Sequence, residues 1–188
     1  SLFIPKNLNE LKEGWNLGIQ NLNEIKVSPK NKNYSLYNNQ ILISKTNKEN
    51  EIFDVISISC RNIESLKIPS SIKFISSFAF NKCRNLQTIE FSEDSQMASI
   101  GQYSFSESKI NKIVIPKHVK KIDEFAFIGC NFLKNITFQE NSELESIEKE
   151  AFKYSKFETF SLPSKVTQIG QRAFSNCSCL KNFEILED

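Results

Sequence analysis

The sequence predicts an α/β-type repeat solenoid, with one parallel β-sheet on one face of each coil and short helical or 3-10 turns on the other. Three observations carry this expectation. An Ile-x4-Phe segment recurs five times, as Ile75/Phe80, Ile100/Phe105, Ile122/Phe127, Ile147/Phe152 and Ile169/Phe174. Successive Phe positions lie 25, 22, 25 and 22 residues apart, so the true period is a 47-residue double unit. Ile68-Pro69, Ile115-Pro116 and Leu162-Pro163 keep that period, as do Cys83, Cys130 and Cys177.

The strand of each unit follows the Phe. It reads Leu86/Ile89/Phe91, Ile110/Ile113/Ile115, Leu133/Ile136/Phe138, Phe157/Phe160/Leu162 and Leu180/Phe183/Ile185. The last two apolar residues of each triplet are two apart, which places them on one face of a short strand. The Ile-x4-Phe part suits a single helical or 3-10 turn. A small residue before the Phe (Ala79, Ala126, Ala151, Ala173, or Ser104) lets backbones approach there. Neither element can bury its apolar side alone, so the units must stack. Short units turn from strand to turn through a proline, which ends a strand because it has no N–H for the ladder. Long units use a looser polar loop, from Phe91 to Ile100 and from Phe138 to Ile147, expected to bulge on one edge of the array at every second coil.

The same spacing, less regular, runs toward the N-terminus. Ile63/Leu66/Ile68 is preceded by Cys60 as Leu86 is by Cys83, and Ile4-Pro5, Leu11 and Leu22/Ile25/Val27 repeat the spacings of a later unit. Between them, Asn31–Tyr34, Ile41-Leu42-Ile43, a turn-rich Thr46–Asn50 stretch and Ile52–Ile58 read as an inserted β-hairpin. The expected organisation is one solenoid over 1–188: a degenerate repeat at 1–27, the insert at 28–59 and regular repeats at 60–188. The chain opens at Ile4-Pro5 and stops past Ile185 without a visible polar cap. That suggests an excerpt of a longer array, or ends buried by end-to-end self-association.

The pattern Ile-Pro-x-x-Val/Ile-x-x-Ile-x-x-x-Ala-Phe-x-x-Cys-x-x-Leu-x-x-Ile is carried by residues 68–89, 115–136 and 162–183. It resembles the BspA-like family of leucine-rich repeats, over nearly the whole chain. The resemblance implies a leucine-rich repeat array and free thiols. It also implies a surface protein of a mucosal microbe or parasitic protist, engaged in adhesion or aggregation. Fold alone does not fix function.

Composition narrows the alternatives. Sixteen Phe against one Trp and four Tyr fit a repeated structural slot. A net charge of +2, with no Lys/Arg run longer than two, is too small to argue for nucleic acid or an anionic membrane as partner, and no nucleic acid is expected. No apolar stretch approaches the roughly 18 residues of a membrane span, and no signal peptide lies in the segment. Five cysteines exclude a fully paired intrachain framework. Cys60, Cys83, Cys130 and Cys177 share one slot, filled by Ser108 and Ser155 elsewhere, which reads as small, buried and weakly polar. The competing readings are a disulfide and a metal site. Thiols two coils apart lie about 10 Å apart, too far to bridge. Cys60 and Cys83 sit on neighbouring units and could approach. With one histidine, Cys177-Ser178-Cys179 closes no zinc set.

No catalytic, cofactor or metal residues are assigned. His118, the single histidine, could anchor a nucleophilic triad but reads as an exposed loop residue. The glycines are isolated, with no phosphate loop, and Glu143/Glu145 and Glu148/Glu150 read as solvated. What remains is the outward side of each strand, where Glu24/Lys26, Ser65 and the candidate protein-binding residues fall. These residues are Lys67, Thr88, Glu90, Lys112, Val114, Asn135, Thr137, Thr159, Ser161, Asn182 and Glu184. The face is polar, mixed in charge and lacks Tyr, Trp or Arg anchors, which suits weak or multivalent binding. Glycosylation sequons at Asn33, Asn135 and Asn176 bear on it only in a secreted protein. Two functions stay open. One is an adhesin-like, secreted or cell-surface module contacting host or matrix proteins. The other is a cytoplasmic scaffold protein assembling with other subunits.

Overall fold

A computed structural model describes residues 1–187. Along the chain, β1 (Leu2–Ile4), β2 (Ile25–Val27), β3 (Tyr34–Tyr37), β4 (Ile41–Ser44) and β5 (Val55–Ser59) come first. Long and short strands then alternate: β6 (Ser65–Ile68), β7 (Phe74–Ile75), β8 (Thr88–Phe91), β9 (Ser99–Ile100), β10 (Lys112–Ile115) and β11 (Lys121–Ile122). The alternation continues with β12 (Asn135–Phe138), β13 (Ser146–Ile147), β14 (Thr159–Leu162), β15 (Gln168–Ile169) and β16 (Asn182–Ile185). Each coil thus makes two parallel strands, a long one from the apolar triplet and a short one ending in the Ile of Ile-x4-Phe.

The long strands follow the period-2 alternation. In β6 and β10 the residues alternate between exposed and buried, with Leu66, Ile68, Ile113 and Ile115 facing inward. Stacking is in register: Leu66 lies opposite Ile89, and Ile113 opposite Ile136. The inward rows enclose a ladder of Phe rings, with Phe80, Phe105, Phe127 and Phe152 stacked at centroid spacings of 5.1, 5.1 and 5.2 Å and all 0 % exposed. Such contacts contribute about 0.5–1.5 kcal/mol per pair beyond burial itself.

The expected helical or 3-10 turn does not form: no helix of either kind occurs among the described residues. The Ile of the motif sits in a second parallel sheet, and the Ala-Phe part is a run of tight turns. Backbone geometry explains the difference. Left-handed φ recurs two residues before and two after each ladder Phe, at Phe78 and Lys82, Tyr103 and Glu107, Phe125 and Gly129, Glu150 and Tyr154, and Arg172 and Asn176. A left-handed residue in every turn prevents helical continuation and redirects alternate amides. The N–H of Ala79 donates within its own turn to Ser76 O. Those of Phe78, Phe80 and Lys82 donate to Gln102, Ser104 and Ser106 of the next coil at 2.9, 2.7 and 2.8 Å. The pattern repeats through Phe152, whose N–H reaches Ala173 O at 2.9 Å. Each strained residue costs about 1–2 kcal/mol, offset by inter-coil hydrogen bonds of about 1 kcal/mol each. A second row of stacked rings, Phe78, Tyr103 and Phe125, adds to that offset at spacings of 5.0 and 4.6 Å.

Close approach on this side also fixes two glycines. A Cβ on Gly101 would lie 2.6 Å from the Ile75 carbonyl oxygen, and one on Gly170 2.4 Å from the Lys149 nitrogen. The cysteine slot is satisfied in the same direction. The thiols of Cys130 and Cys177 donate to the carbonyls of Phe105 and Phe152 in the preceding coil at 3.1 and 3.2 Å, and the hydroxyl of Ser155 to Phe127 O at 3.5 Å. Cysteine and serine are interchangeable there because both can make that bond. All five cysteines are free.

The single parallel sheet expected on the other face is interrupted. β6, β8, β10 and β12 form one sheet, β14 and β16 another, and β1 and β2 a third. The interruptions follow the prolines. The N–H just past a looped strand closes its pair with the preceding coil: Ser28 donates to Ile4 O, Ser92 to Ile68 O, Gln139 to Ile115 O and Leu186 to Leu162 O. The intervening coils have Pro69, Pro116 and Pro163 at that position, and proline has no N–H to donate. Accordingly β2 does not pair with β6, β8 and β10 share only Thr88↔Lys112, and β12 does not pair with β14. At the last break the buried Phe157 and Phe160 stand where Ile110 and Ile113 stand in the coil of β10.

In the insert, β4 and β5 pair antiparallel across residues 46–50, and β3 is added to that hairpin. β3 and β4 pair antiparallel around left-handed Asn38 and Asn39. β5 then pairs antiparallel with β4 and parallel with β7, so all three strands extend the second sheet. Ile4, Leu22, Ile25, Tyr34, Leu42, Ile58 and Cys60 form a separate core beneath them. Arg61, 5 % exposed, fastens this region to the repeats. It donates to the carbonyls of Ile19, Ala79 and Phe78 at 3.1, 2.8 and 3.3 Å.

Candidate functional site

The eleven outward residues fall into two groups. Lys67, Thr88, Glu90, Lys112, Val114, Asn135 and Thr137 lie on the four-stranded sheet, with Lys67 opposite Glu90, Lys112 opposite Asn135 and Val114 opposite Thr137. Thr159, Ser161, Asn182 and Glu184 lie on the two-stranded sheet, Thr159 opposite Asn182 and Ser161 opposite Glu184. Thr88 and Ser161 are half-buried and the others exposed. Where β12 and β14 part, a cavity of about 480 Å³ opens between the groups. Thr137, Thr159 and Ser161 line it together with Phe138, Gln139 and Pro163. Alternation along one strand cannot place such a cleft, which depends on how two strands fail to meet.

A second depression lies at the strand-start edge of the four-stranded sheet, where Lys109, Phe132 and Lys134 join Thr88, Lys112 and Asn135. These added residues sit just outside the strands, where period-2 alternation does not reach. One signal was available: Phe132 stands one residue before a ladder position, out of phase with every buried Phe.

The opposite, looped edge is acidic. Glu93, Asp94 and Glu140 gather there around Lys117 and His118. His118 Nδ1 lies 3.1 Å from Glu143 Oε1, and that hydrogen bond holds the Glu143 carboxyl below the usual carboxylate range. A loop histidine bonded to a surface carboxylate has half of a catalytic pair, and among the described residues no nucleophile is bonded to it. Burial pushes the Cys130 thiol up to about 12 and the Cys177 thiol up to about 11, which leaves both protonated and unreactive near neutrality. Among the described residues no group of three or more His, Cys, Asp or Glu side chains could hold a metal ion, and no helix is long and apolar enough to cross a membrane.

A model of the BspA-type leucine-rich repeat region matches residues 50–181 in six copies. Among solved structures, the chain is similar to the pneumococcal vaccine antigen PcpA, at 29% identity and a TM-score of 0.68, over 72% of this chain and 36% of that one. It is similar to a leucine-rich repeat protein from Bacteroides ovatus, at 28% identity and a TM-score of 0.68, over 80% and 41%. A leucine-rich repeat protein from Eubacterium ventriosum shares the fold at 24% identity and a TM-score of 0.67, over 97% and 47%. The chain therefore spans less than half the length of each. Comparison with curated protein sequences gives no match.

Proposed function

The chain belongs to the BspA-type leucine-rich repeat family, and from that premise we propose that it is a protein-binding module of a cell-surface or secreted protein. Its adhesin-like role is to contact host or matrix proteins through the outward face of the long strands. One observation carries the reading. The ladder Phe residues, the slot cysteines, Gly101 and Gly170 are committed to stacking the coils, whereas the outward positions bear mostly exposed hydroxyls, amides and charges. Short side chains of this kind hydrogen-bond a partner at small entropic cost. Without large anchors the binding is weak per site, and repetition supplies avidity. The surface assignment draws support from the family and from the similarity to a vaccine antigen.

The test is simultaneous substitution of Thr88, Lys112, Thr137 and Thr159 by Ala, followed by binding to immobilised extracellular-matrix proteins. Loss of binding with an unchanged melting curve is expected; unchanged binding moves the site to another face. Turnover of a substrate that disappears in His118→Ala would replace binding with catalysis.

A second reading, a cytoplasmic scaffold assembling end to end, has its own observation. In the coil of β15 and β16, Ile169, Phe183, Ile185 and Leu186 are 45, 44, 70 and 44 % exposed, an apolar rung that a further coil or a second copy of the chain would cover. Sedimentation decides: mass that rises with concentration supports it, and a monomer at high concentration sinks it.

A further inference from the structure

We propose that the strand-start edge of the four-stranded sheet binds an acidic segment of a protein partner, an inference that rests on the protein-binding reading above and assigns its ligand chemistry. Lys109, Lys112 and Lys134 converge with Phe132 around a shallow depression of about 780 Å³, and no carboxylate lines it. Phe132 is 51 % exposed, although its neighbour Leu133 already fills the core position. Among the described residues none of the three ammonium groups is in an ion pair. By contrast, Lys82, Lys120, Lys121 and Lys181 elsewhere in the chain each meet a carboxylate. Of the acids along this edge, Glu64 lies one coil beyond Gln87, and Glu158 is bound to Lys181 at 2.9 Å while lying in the field of Lys134. Glu107 is held on the turn side by Lys82 and Arg84. In a chain of 24 cationic and 22 acidic side chains, this edge is a local excess of unmatched positive charge.

The chemistry of the partner follows from the residue types. Exposed ammonium groups are compact point charges that attract anions, and the apolar ring and the amides beside them favour an acidic peptide over a bare polyanion. One exposed ring could be read as a platform for a sugar or base. The Lys109 ammonium, however, lies 5.7 Å from the Phe132 ring centroid and covers that face. The ring's remaining surface suits an apolar side chain. Asn111 and Asn135, at the same depression, can bond an extended peptide backbone. An extended segment that alternates acidic and apolar residues meets all three features.

The probe is a fluorescein-labelled peptide alternating Glu and Leu, compared with its Gln counterpart, against the whole chain. The Glu peptide is expected to bind and the Gln peptide to bind about tenfold more weakly or worse, three exposed charge contacts being lost together. Lys109→Ala/Lys112→Ala/Lys134→Ala is expected to remove the difference between the peptides. Binding should also collapse near 1 M salt, where screening acts within about 3 Å. Phe132→Ser, at an exposed position, should weaken both peptides with an unchanged melting curve. Equal binding of Glu and Gln peptides overturns the proposal, as does a triple variant that keeps the preference. Heparin or single-stranded DNA displacing the peptide at lower concentration overturns it in favour of a polyanion. If the charge-dependent peptide binding holds but no matrix protein binds, the surface-adhesion reading alone fails. If matrix binding survives the triple variant but not Thr137→Ala/Thr159→Ala, the ligand chemistry alone fails.

Discussion

The two sides of every coil solve the stacking problem differently. On the turn side, hydrogen bonds to the next coil recur without a gap from Phe78 to Tyr154, rings stack in two rows, and glycine stands where backbones come closest. On the long-strand side the ladder stops or thins wherever a proline follows the strand. One side therefore holds the array together, and the other tolerates breaks. A side that need not be continuous is free to vary its outward residues and to open clefts, which is where a binding surface can form.

The sharpest way to break this contrast is Phe127→Ala set against Thr137→Ala. Phe127 is 0 % exposed between Phe105 and Phe152, and its truncation should cost about 3–5 kcal/mol by chemical denaturation. Thr137 faces outward, and its truncation should stay within about 0.5 kcal/mol. Comparable losses at the two positions would mean that the strand side is equally structural.

Gly101→Ala is the next test, with Gly14→Ala as control. The added methyl at 101 meets the Ile75 carbonyl, and the misfit should cost about 1–3 kcal/mol. At Gly14 φ is +77° but nothing lies within 4 Å, so only the left-handed strain of about 1 kcal/mol remains. A smaller melting-temperature loss at 101 than at 14 would mean that the coils stack less tightly than the approach of Gly101 to the Ile75 carbonyl implies.

Much of this was legible in the sequence, and the exceptions have a common cause. The 47-residue period located every ladder Phe, and period-2 alternation along each strand identified which residues point outward. The expectation of a helical turn fails because Ala79-Phe80 and its equivalents carry no local sign of left-handed geometry. Of the ten positions concerned, only Gly129 and Asn176 are residues that favour it. Inter-coil hydrogen bonding outweighs local preference at the other eight. The prolines were read as strand ends, but their effect on pairing lies in the neighbouring coil. Lys109, Phe132 and Lys134 went unnoticed for the same reason: they become one site only once adjacent coils are in register.

Thiol titration sharpens the contrast through pH. Burial raises the Cys130 thiol from an ordinary value of 9.0 to about 12. The folded state then holds that proton more tightly than the unfolded state, so this contribution is fully present below about pH 9 and is lost as pH rises toward 12. The difference in stability between the native chain and Cys130→Ser should shrink across that window, because serine does not titrate there. A pH-independent difference would place the thiol in a more hydrated site than the Phe105 carbonyl bond implies.

The smallest expected effect bears most directly on why the two sides differ. Pro116→Ala supplies an N–H at the position where Ser92 and Gln139 close their ladders, facing the end of β8. The new bond is worth about 0.5–1.5 kcal/mol, against about 0.4–1 kcal/mol lost because alanine leaves the unfolded chain freer than proline does. Stability should move by less than about 1 kcal/mol. Hydrogen exchange should nevertheless slow at residue 116 and along β10, where pairing now reaches only Lys112. Slower exchange identifies the missing donor as the cause of the interruption. Unchanged exchange transfers the cause to the side chains beneath the strands, and Phe157→Ile/Phe160→Ile should then draw β14 toward β12 and close the cleft between the two groups of outward residues.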